Sequence, residues 1–135
     1  FLPPGTRSVI DIGSGGGFPG APVAATHPSA AVTLIEARAK KAAFLRESTR
    51  DWPNVRVFCG LAADFPEPAE WVCSRAVAAD LVLEPTTVRN AGVSLLISSL
   101  DVPRVTESFN SLGYSTRSVE IPWRKQAAVF IATPK

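Results

Sequence analysis

Hydrophobic residues in this chain occur in short runs rich in valine and isoleucine, and amphipathic segments separate one run from the next. The run at residues 8–12 leads directly into glycines, a pattern typical of a buried parallel strand. Six further runs predict strands at residues 31–35, 55–58, 71–74, 92–97, 114–121 and 127–132. Helical spacing and helix-end signals predict helices at residues 19–26, 39–52, 79–89 and 101–112.

The alternation of strands and helices predicts a parallel α/β sheet with right-handed crossovers, closed by the two adjacent strands at the end of the chain. With 135 residues, we expect a single domain spanning residues 1–135. In the last helix, Val105, Phe109 and Leu112 are expected to point inward, and Gly113 is expected to end the helix.

The turn after the first strand contains the candidate chemistry. Asp11, Gly13, Gly15 and Gly17 form the pattern D-x-G-x-G-x-G, and Pro19 suits the first position of the following helix. Glycines there permit positive φ, and we expect free backbone N–H groups at the helix N-terminus to act as donors to a ligand. The turn therefore predicts a cofactor-binding loop.

Two cofactors are compatible with this loop. Gly15, Gly17 and Gly20 match G-x-G-x-x-G, the fingerprint of dinucleotide-binding enzymes such as NAD-dependent oxidoreductases. Asp11 instead favours S-adenosylmethionine, because a carboxylate repels a pyrophosphate but attracts a sulfonium and an ammonium group. Glu36 ends the second strand about 20 residues beyond the glycines, where α/β sheets place the acid that binds ribose hydroxyls.

Three sequence blocks, taken together, resemble a known family. Residues 11–20 read Asp-Ile-Gly-Ser-Gly-Gly-Gly-Phe-Pro-Gly, residues 39–46 contain Ala-Lys-Lys and Phe-Leu-Arg, and residues 74–78 read Ser-Arg-Ala-Val-Ala. The order and spacing of the blocks are similar to those of the RsmG (GidB) family over residues 4–92. The resemblance implies a Rossmann-like class I S-adenosylmethionine-dependent methyltransferase, an α/β fold with a mostly parallel seven-stranded sheet flanked by helices. It also implies methylation of N7 of a guanine in bacterial 16S ribosomal RNA.

The same resemblance implies roles for individual residues toward S-adenosylmethionine and the acceptor. Asp11 and Gly13 would hold the methionine end, and Gly15 would also contact the cofactor. Phe18 would pack against the cofactor, Glu36 would bind ribose, and Ala62 and Ala63 would line the adenine. Arg75, at the end of the fourth strand, would lie beside the cofactor and face the acceptor base, and it is the one catalytic residue expected. Guanine N7 already presents a lone pair, so no general base is required.

The chain departs from the family pattern at four positions where the family has polar or charged groups: Leu61, Ala63, Ser98 and Gln126. The family also has a helical segment before the first strand. These departures leave open an alternative function, a cofactor-binding homologue with impaired or no activity. An NAD-dependent oxidoreductase is a third hypothesis.

Composition and charge limit the partners, ligands and cellular compartment that we expect for this chain. A net charge of +2 does not by itself indicate nucleic-acid binding. There is no apolar run of about 18 residues and no charged leader, so we expect a cytoplasmic monomer without membrane contact. Cys59, Cys73 and the lone His27 match no metal-binding spacing, so we expect no metal, two buried thiols and a helix-end histidine.

The expected partner is 16S ribosomal RNA or the small ribosomal subunit, and two segments are candidates to contact it. The helix at 39–52 has a basic face, which is either an RNA contact or an ordinary solvated surface. The turn at residues 122–126 contains Trp123, Arg124 and Lys125, which would stack on bases and neutralise phosphates. The alternative, which we favour from the sequence, is a plain turn with a half-buried tryptophan.

Overall fold

A computed structural model describes residues 2–75, Val82 and residues 90–135. The strands there are β1 (Ser8–Ile12), β2 (Ala31–Glu36), β3 (Val55–Cys59), β4 (Trp71–Arg75), β5 (Gly92–Ser98), β6 (Tyr114–Glu120) and β7 (Ala127–Pro134). The helices are α1 (Gly20–Thr26), α2 (Ala39–Ser48) and α3 (Val102–Ser111), and a 3₁₀ turn spans Ala62–Asp64. No helix in this described part is long and apolar enough to cross a membrane. The helix predicted at residues 79–89 lies outside the described residues, apart from Val82.

The strands form one sheet in the order β3-β2-β1-β4-β5-β7-β6. β1 to β5 are parallel, whereas β7 runs antiparallel to both β5 and β6. The strand order reverses between β1 and β4, and in such sheets a ligand crevice lies outside the carboxyl ends of the strands at the reversal. We call the side with residues 13–19, 37–38, 60–64, 99–101 and 121–126 the carboxyl edge, and the opposite side the amino edge.

Both faces of the sheet are packed. One face contributes Ile10, Val72, Leu95 and Phe130 to a core that α3 completes with Phe109. Successive side chains of a strand point to opposite faces. The other face therefore presents the alternate residues Val9, Val32, Leu34 and Ile131, against which Leu45 of α2 packs. The two layers of helices fix the loops at the carboxyl edge in place.

The predicted strand bounds agree with the observed ones to within two residues, but the helices are shorter than predicted. Pro19 is the N-cap residue of α1 rather than its first helical residue. α2 ends at Ser48 instead of residue 52, because the backbone leaves the helical conformation at Thr49, where φ is −113° and ψ is 13°. The Thr49 hydroxyl donates to the Leu45 carbonyl at 2.8 Å, which satisfies one of the last carbonyls of the helix.

The burial predictions for Leu112 and Cys59 are wrong. Leu112 is 57% exposed, because α3 ends at Ser111 and the chain turns at Gly113, where φ is +84°. Cys59 is exposed, because it ends β3, the edge strand of the sheet. Cys73 is buried as predicted, and burial raises the pKa of its thiol well above the usual value.

Candidate functional site

The loop between β1 and α1 lies at the carboxyl edge, next to the reversal in strand order. Gly13, Gly15 and Gly17 have φ values of +70°, +56° and +96°, conformations that glycine adopts without strain. The N–H groups of Gly13 and Ser14 donate to the Ile35 carbonyl at 2.9 and 3.0 Å, and the Gly17 N–H donates to the Ser14 carbonyl at 2.7 Å. The prediction of free N–H donors is therefore wrong at these three positions, because the protein itself uses them.

Glu36, the last residue of β2, braces the same loop. Its Oε2 accepts the Gly15 N–H at 2.9 Å and its Oε1 accepts the Arg38 N–H at 2.9 Å. The residue is largely buried, with 7% of its surface exposed. Each carboxylate oxygen has a second lone pair, so Glu36 can still accept a hydrogen bond from a hydroxyl group. Spacing along the sequence located this acid, but it did not indicate the bond to Gly15.

Asp11 lies fully buried within β1, directly behind the loop. Its Oδ2 accepts the Gly20 N–H at 2.9 Å, whereas its Oδ1 has no hydrogen-bond partner among the described residues. Burial raises the pKa of this carboxyl to about 7, and the Gly20 N–H, the Ser14 hydroxyl and the charge of Arg75 act in the opposite direction. A buried oxygen without a donor is costly, and an ammonium group would satisfy it.

Gly20 allows α1 to approach the sheet closely enough to reach Asp11. A Cβ at this position would lie 2.3 Å from Leu34 Cδ2 and 2.8 Å from Asp11 Cβ, closer than real Cβ atoms approach. Only glycine fits there, and the close approach brings its N–H within bonding distance of the carboxylate. The third glycine of the dinucleotide fingerprint thus has a packing function in this chain.

Arg75 and Phe18 meet at the carboxyl edge beside the loop. The Arg75 guanidinium carbon lies 5.7 Å from the centroid of the Phe18 ring, a cation–π distance. Arg75 is exposed and Phe18 is 52% exposed, so both side chains are available to a ligand. The buried Ser74 hydroxyl donates to the Ile12 carbonyl at 2.8 Å and joins the ends of β1 and β4. Ser74 has no role in the sequence-based hypothesis, although it lies in the Ser-Arg-Ala block that singled out Arg75.

Ala62 and Ala63 lie in the 3₁₀ turn that follows β3. The Gly60 N–H donates to the Glu36 carbonyl at 3.1 Å, which places the start of this turn beside the glutamate. Ala62 packs against the core, whereas Ala63 is exposed at the same edge. The structure therefore brings every predicted site residue to the carboxyl ends of β1 to β4.

The residues present fit S-adenosylmethionine better than a dinucleotide. Asp11 offers an orphaned oxygen for a cation, Glu36 offers acceptors for hydroxyl groups, and Phe18 offers an exposed ring. In the described part of the chain, no group of three or more His, Cys, Asp or Glu residues is placed to hold a metal ion.

The family model for GidB, described as rRNA small subunit methyltransferase G, matches residues 1–93, more than half of the chain. The chain belongs to the GidB family. Asp11, Glu36 and Arg75 lie within the part that the GidB model matches, whereas the turn at residues 121–126 lies beyond it.

Curated relatives of this GidB family member include two proteins named Ribosomal RNA small subunit methyltransferase G. The one from Neisseria gonorrhoeae is 43% identical over 77 residues, which are 55% of this chain and 37% of the relative. The one from Rhodopseudomonas palustris is 42% identical over 85 residues, which are 57% of this chain and 36% of the relative. The match therefore spans just over a third of each relative's length.

Solved structures show the same fold at low sequence identity. A Methanococcus jannaschii fibrillarin, a pre-rRNA processing protein, has a TM-score of 0.79 and 14% identity, covering 95% of this chain and 66% of that one. A methyltransferase from Pyrococcus furiosus has a TM-score of 0.78 and 18% identity, covering 98% of this chain and 77% of that one. The GidB chain thus has the class I methyltransferase fold.

Proposed function

We propose that residues 1–135 form a single S-adenosylmethionine-dependent methyltransferase unit that methylates N7 of a guanine in bacterial 16S ribosomal RNA, either as RNA or within the small subunit. The observation that carries this proposal is the pair of carboxylates around the glycine loop. Asp11 lies behind the loop, and its Oδ1 has no hydrogen-bond partner among the described residues. Glu36 accepts a hydrogen bond from the Gly15 N–H of the loop. Membership of the GidB family supports the same function.

The loop favours a cationic ligand over the pyrophosphate of NAD. A pyrophosphate needs backbone donors, but the N–H groups of Gly13, Gly15 and Gly17 already donate within the protein. The Gly20 N–H donates to Asp11. With these donors occupied and two carboxylates beside it, the loop attracts positive charge and repels phosphate.

The cofactor supplies an electrophilic methyl group on a sulfonium. Asp11 Oδ1 would accept a hydrogen bond from the ammonium group of the cofactor, and the remaining lone pairs of Glu36 would accept hydrogen bonds from its ribose hydroxyls. Ala62 and Ala63 would lie against the adenine, and Phe18 would pack against the cofactor.

Arg75 is the group that faces the acceptor. Its guanidinium extends from the end of β4 over Phe18, where it can hold a guanine or a phosphate in position. Because guanine N7 has a lone pair available at neutral pH, no side chain has to remove a proton. Catalysis then depends on alignment of the two reactants.

The first test is calorimetric titration with S-adenosylhomocysteine, which has the same ammonium group. Asp11→Asn removes the charge that pairs with this group, and a hydrogen bond to a charged partner is worth about 1.5 to 3 kcal/mol, so we expect about 10- to 150-fold weaker binding. Asp101→Asn is the matched control. Asp101 is an exposed acid at the same edge and makes no side-chain capping bond, so its replacement leaves affinity unchanged.

Equal weakening in both variants, or no binding by the unaltered chain, would contradict the cofactor site. If the cofactor binds, methyl transfer to hypomethylated small subunits tests the activity. Binding without transfer would support the alternative of an inactive homologue, which Leu61 favours because the family has a polar or charged residue at this position before the 3₁₀ turn. Methyl transfer that is lost in Arg75→Ala, with affinity for S-adenosylhomocysteine retained, supports the role of Arg75 toward the acceptor.

A further inference from the structure

The turn between β6 and β7 is a fixed element of the fold. We call residues 121–126 the tryptophan turn. The Ile121 N–H donates to the Ala127 carbonyl at 2.9 Å, and the Arg124 N–H donates to the Ile121 carbonyl at 3.1 Å. The Ser99 N–H donates to the Gln126 carbonyl at 3.0 Å, which ties the turn to the end of β5. These bonds join both ends of the turn to the sheet.

Trp123 at the tip of this turn is 88% exposed. The prediction of a half-buried tryptophan is therefore wrong. Placing an indole in water forfeits the roughly 1.5 to 3 kcal/mol that burial of a large apolar side chain supplies. Tryptophan is enriched at interfaces because it combines a large apolar ring with a polar N–H, so an exposed indole at the tip of a turn suits contact with a partner.

Positive charge flanks this ring. Arg124 and Lys125 are exposed and make no ion pair with any described residue, including the neighbouring Glu120. At the amino edge, by contrast, Arg7 pairs with Glu70 at 2.9 Å and Arg56 pairs with Glu67. The two cations of the turn are therefore available to phosphate groups.

The strand register places the turn on the same side of the sheet as the candidate site. Ala127, which follows the turn, pairs with Ser98 at the carboxyl end of β5, and β5 pairs with β4, which ends at Arg75. Neighbouring strands lie about 4.8 Å apart, so β7 lies about 10 Å from β4 across the sheet. The tryptophan turn and Arg75 are therefore at the same edge of the sheet, two strands apart.

We propose that the tryptophan turn is a binding element for single-stranded RNA. Trp123 stacks on a base near the acceptor guanine, and Arg124 and Lys125 contact the phosphates on either side of it. This combination of an aromatic face and unpaired cations is the chemistry that recognises unpaired nucleotides. The inference rests on the proposed function, since it takes RNA as the substrate.

The test is equilibrium filter binding of a radiolabelled single-stranded RNA 12-mer of mixed sequence. Trp123→Ala loses a base-stacking contact and is expected to weaken RNA binding by about 5- to 150-fold. Trp123→Phe keeps an aromatic face and is expected to retain most of the affinity. Leu112→Ala is the matched control, because Leu112 is an exposed apolar side chain that follows α3 at the amino edge.

The cations are tested by the salt dependence of the same binding. Arg124→Gln and Lys125→Gln each lower the slope of log affinity against log salt by about 0.7 if that residue contacts a phosphate of the single strand. Lys135→Gln, an exposed cation that follows β7 at the amino edge, leaves the slope unchanged.

Two outcomes overturn the inference: no RNA binding by the unaltered chain, or equal affinity in Trp123→Ala and Leu112→Ala. Titration with S-adenosylhomocysteine separates this failure from failure of the proposed function. If the chain binds the cofactor and transfers methyl groups but its RNA affinity does not depend on Trp123, the proposed function stands and RNA binding by the tryptophan turn is wrong. If RNA affinity depends on Trp123 but no methyl transfer occurs, RNA binding by the turn stands and the proposed function is wrong.

Discussion

Asp11 is a carboxylic acid removed from water, with one oxygen bonded to Gly20 and the other without a partner among residues 2–75, 82 and 90–135. Burial makes the charged form expensive, which is why the pKa of this carboxyl rises from 3.8 to about 7. Near neutral pH the group therefore alternates between a neutral acid and a charged acceptor. A cationic ligand favours the charged form, so ligand binding and ionisation of Asp11 are coupled.

The pKa of Asp11 predicts how stability depends on pH. Between pH 3.8 and about 7 the folded chain binds more protons than the unfolded chain, so the free energy of unfolding falls as pH rises through this range. One pKa unit corresponds to about 1.4 kcal/mol, which gives a total fall of about 4 kcal/mol from this group. Urea unfolding at pH 5 and pH 8 measures most of it.

Asp11→Asn supplies the reference for that measurement, because asparagine does not titrate. The difference in unfolding free energy between the unaltered chain and this variant should change with pH in the direction given above. A difference that is the same at both pH values would show that the carboxyl is not held in a water-free environment.

Residue positions were more predictable than residue contacts. Glu36 and Arg75 follow from spacing and from the ends of strands, since an α/β sheet places ligands at its carboxyl edge. The bond from Gly15 to Glu36 was not predictable, because periodicity assigns a residue to a face and not to a partner. Trp123 was misjudged because its hydrophobic character indicated burial, whereas the hydrogen bonds of its turn direct it outward.

At the scale of elements, the crossing of α1 over the sheet depends on a single missing side chain. Gly20→Ala would place a methyl group 2.3 Å from Leu34 Cδ2, and overpacking of this kind costs about 1 to 3 kcal/mol. The displaced helix would also weaken the bond from the residue 20 N–H to Asp11. We expect a lower free energy of unfolding by thermal or urea denaturation.

Gly16→Ala is the matched control for this substitution. Gly16 lies in the same loop, its φ is not in the left-handed region, and a Cβ there would meet nothing within 4 Å. Its effect on stability should stay within about 0.5 kcal/mol. Similar losses in both variants would mean that the loop, and not the helix–sheet contact, limits stability.

Strands were predicted more closely than helices, for a physical reason. A run of apolar residues with turn residues on both sides predicts both ends of a buried strand, as at residues 8–12 and 71–75. A helix pattern continues past the helix whenever the next turn also packs, as it does at Thr49 and Trp52 beside α2. Sequence patterns also do not show whether a strand lies at the edge of a sheet. The burial prediction for Cys59, at the end of the edge strand β3, is wrong for this reason.

At the scale of the whole molecule, the choice of ligand should appear in thermal stability. A ligand that binds only the folded chain stabilises it by about 2.7 kcal/mol at a concentration of 100 times its Kd. We expect S-adenosylhomocysteine to raise the Tm and NAD at the same concentration to leave it unchanged, because the loop donors are occupied. A rise with NAD alone would reverse the assignment of the glycine loop.

The alternating pattern of strands and helices predicted the parallel part of the sheet. The antiparallel placement of β7 between β5 and β6 was not contained in that pattern, since two adjacent strands can pair in either order at an edge. The resemblance to a methyltransferase family implied a mostly parallel sheet, but not this strand order. This placement brings the tryptophan turn to the carboxyl edge, while β7 itself ends at the amino edge.

Because Trp123 is exposed, its intrinsic fluorescence can report on the tryptophan turn. Trp71 is buried in β4 and Trp52 is half-buried against the sheet, so the three indoles differ in their exposure to solvent. A soluble quencher such as acrylamide reaches Trp123 first, and its fluorescence reports the tip of one turn above a nearly constant background. A partner that covers the turn should therefore reduce acrylamide quenching of Trp123 fluorescence. The measurement needs no added label.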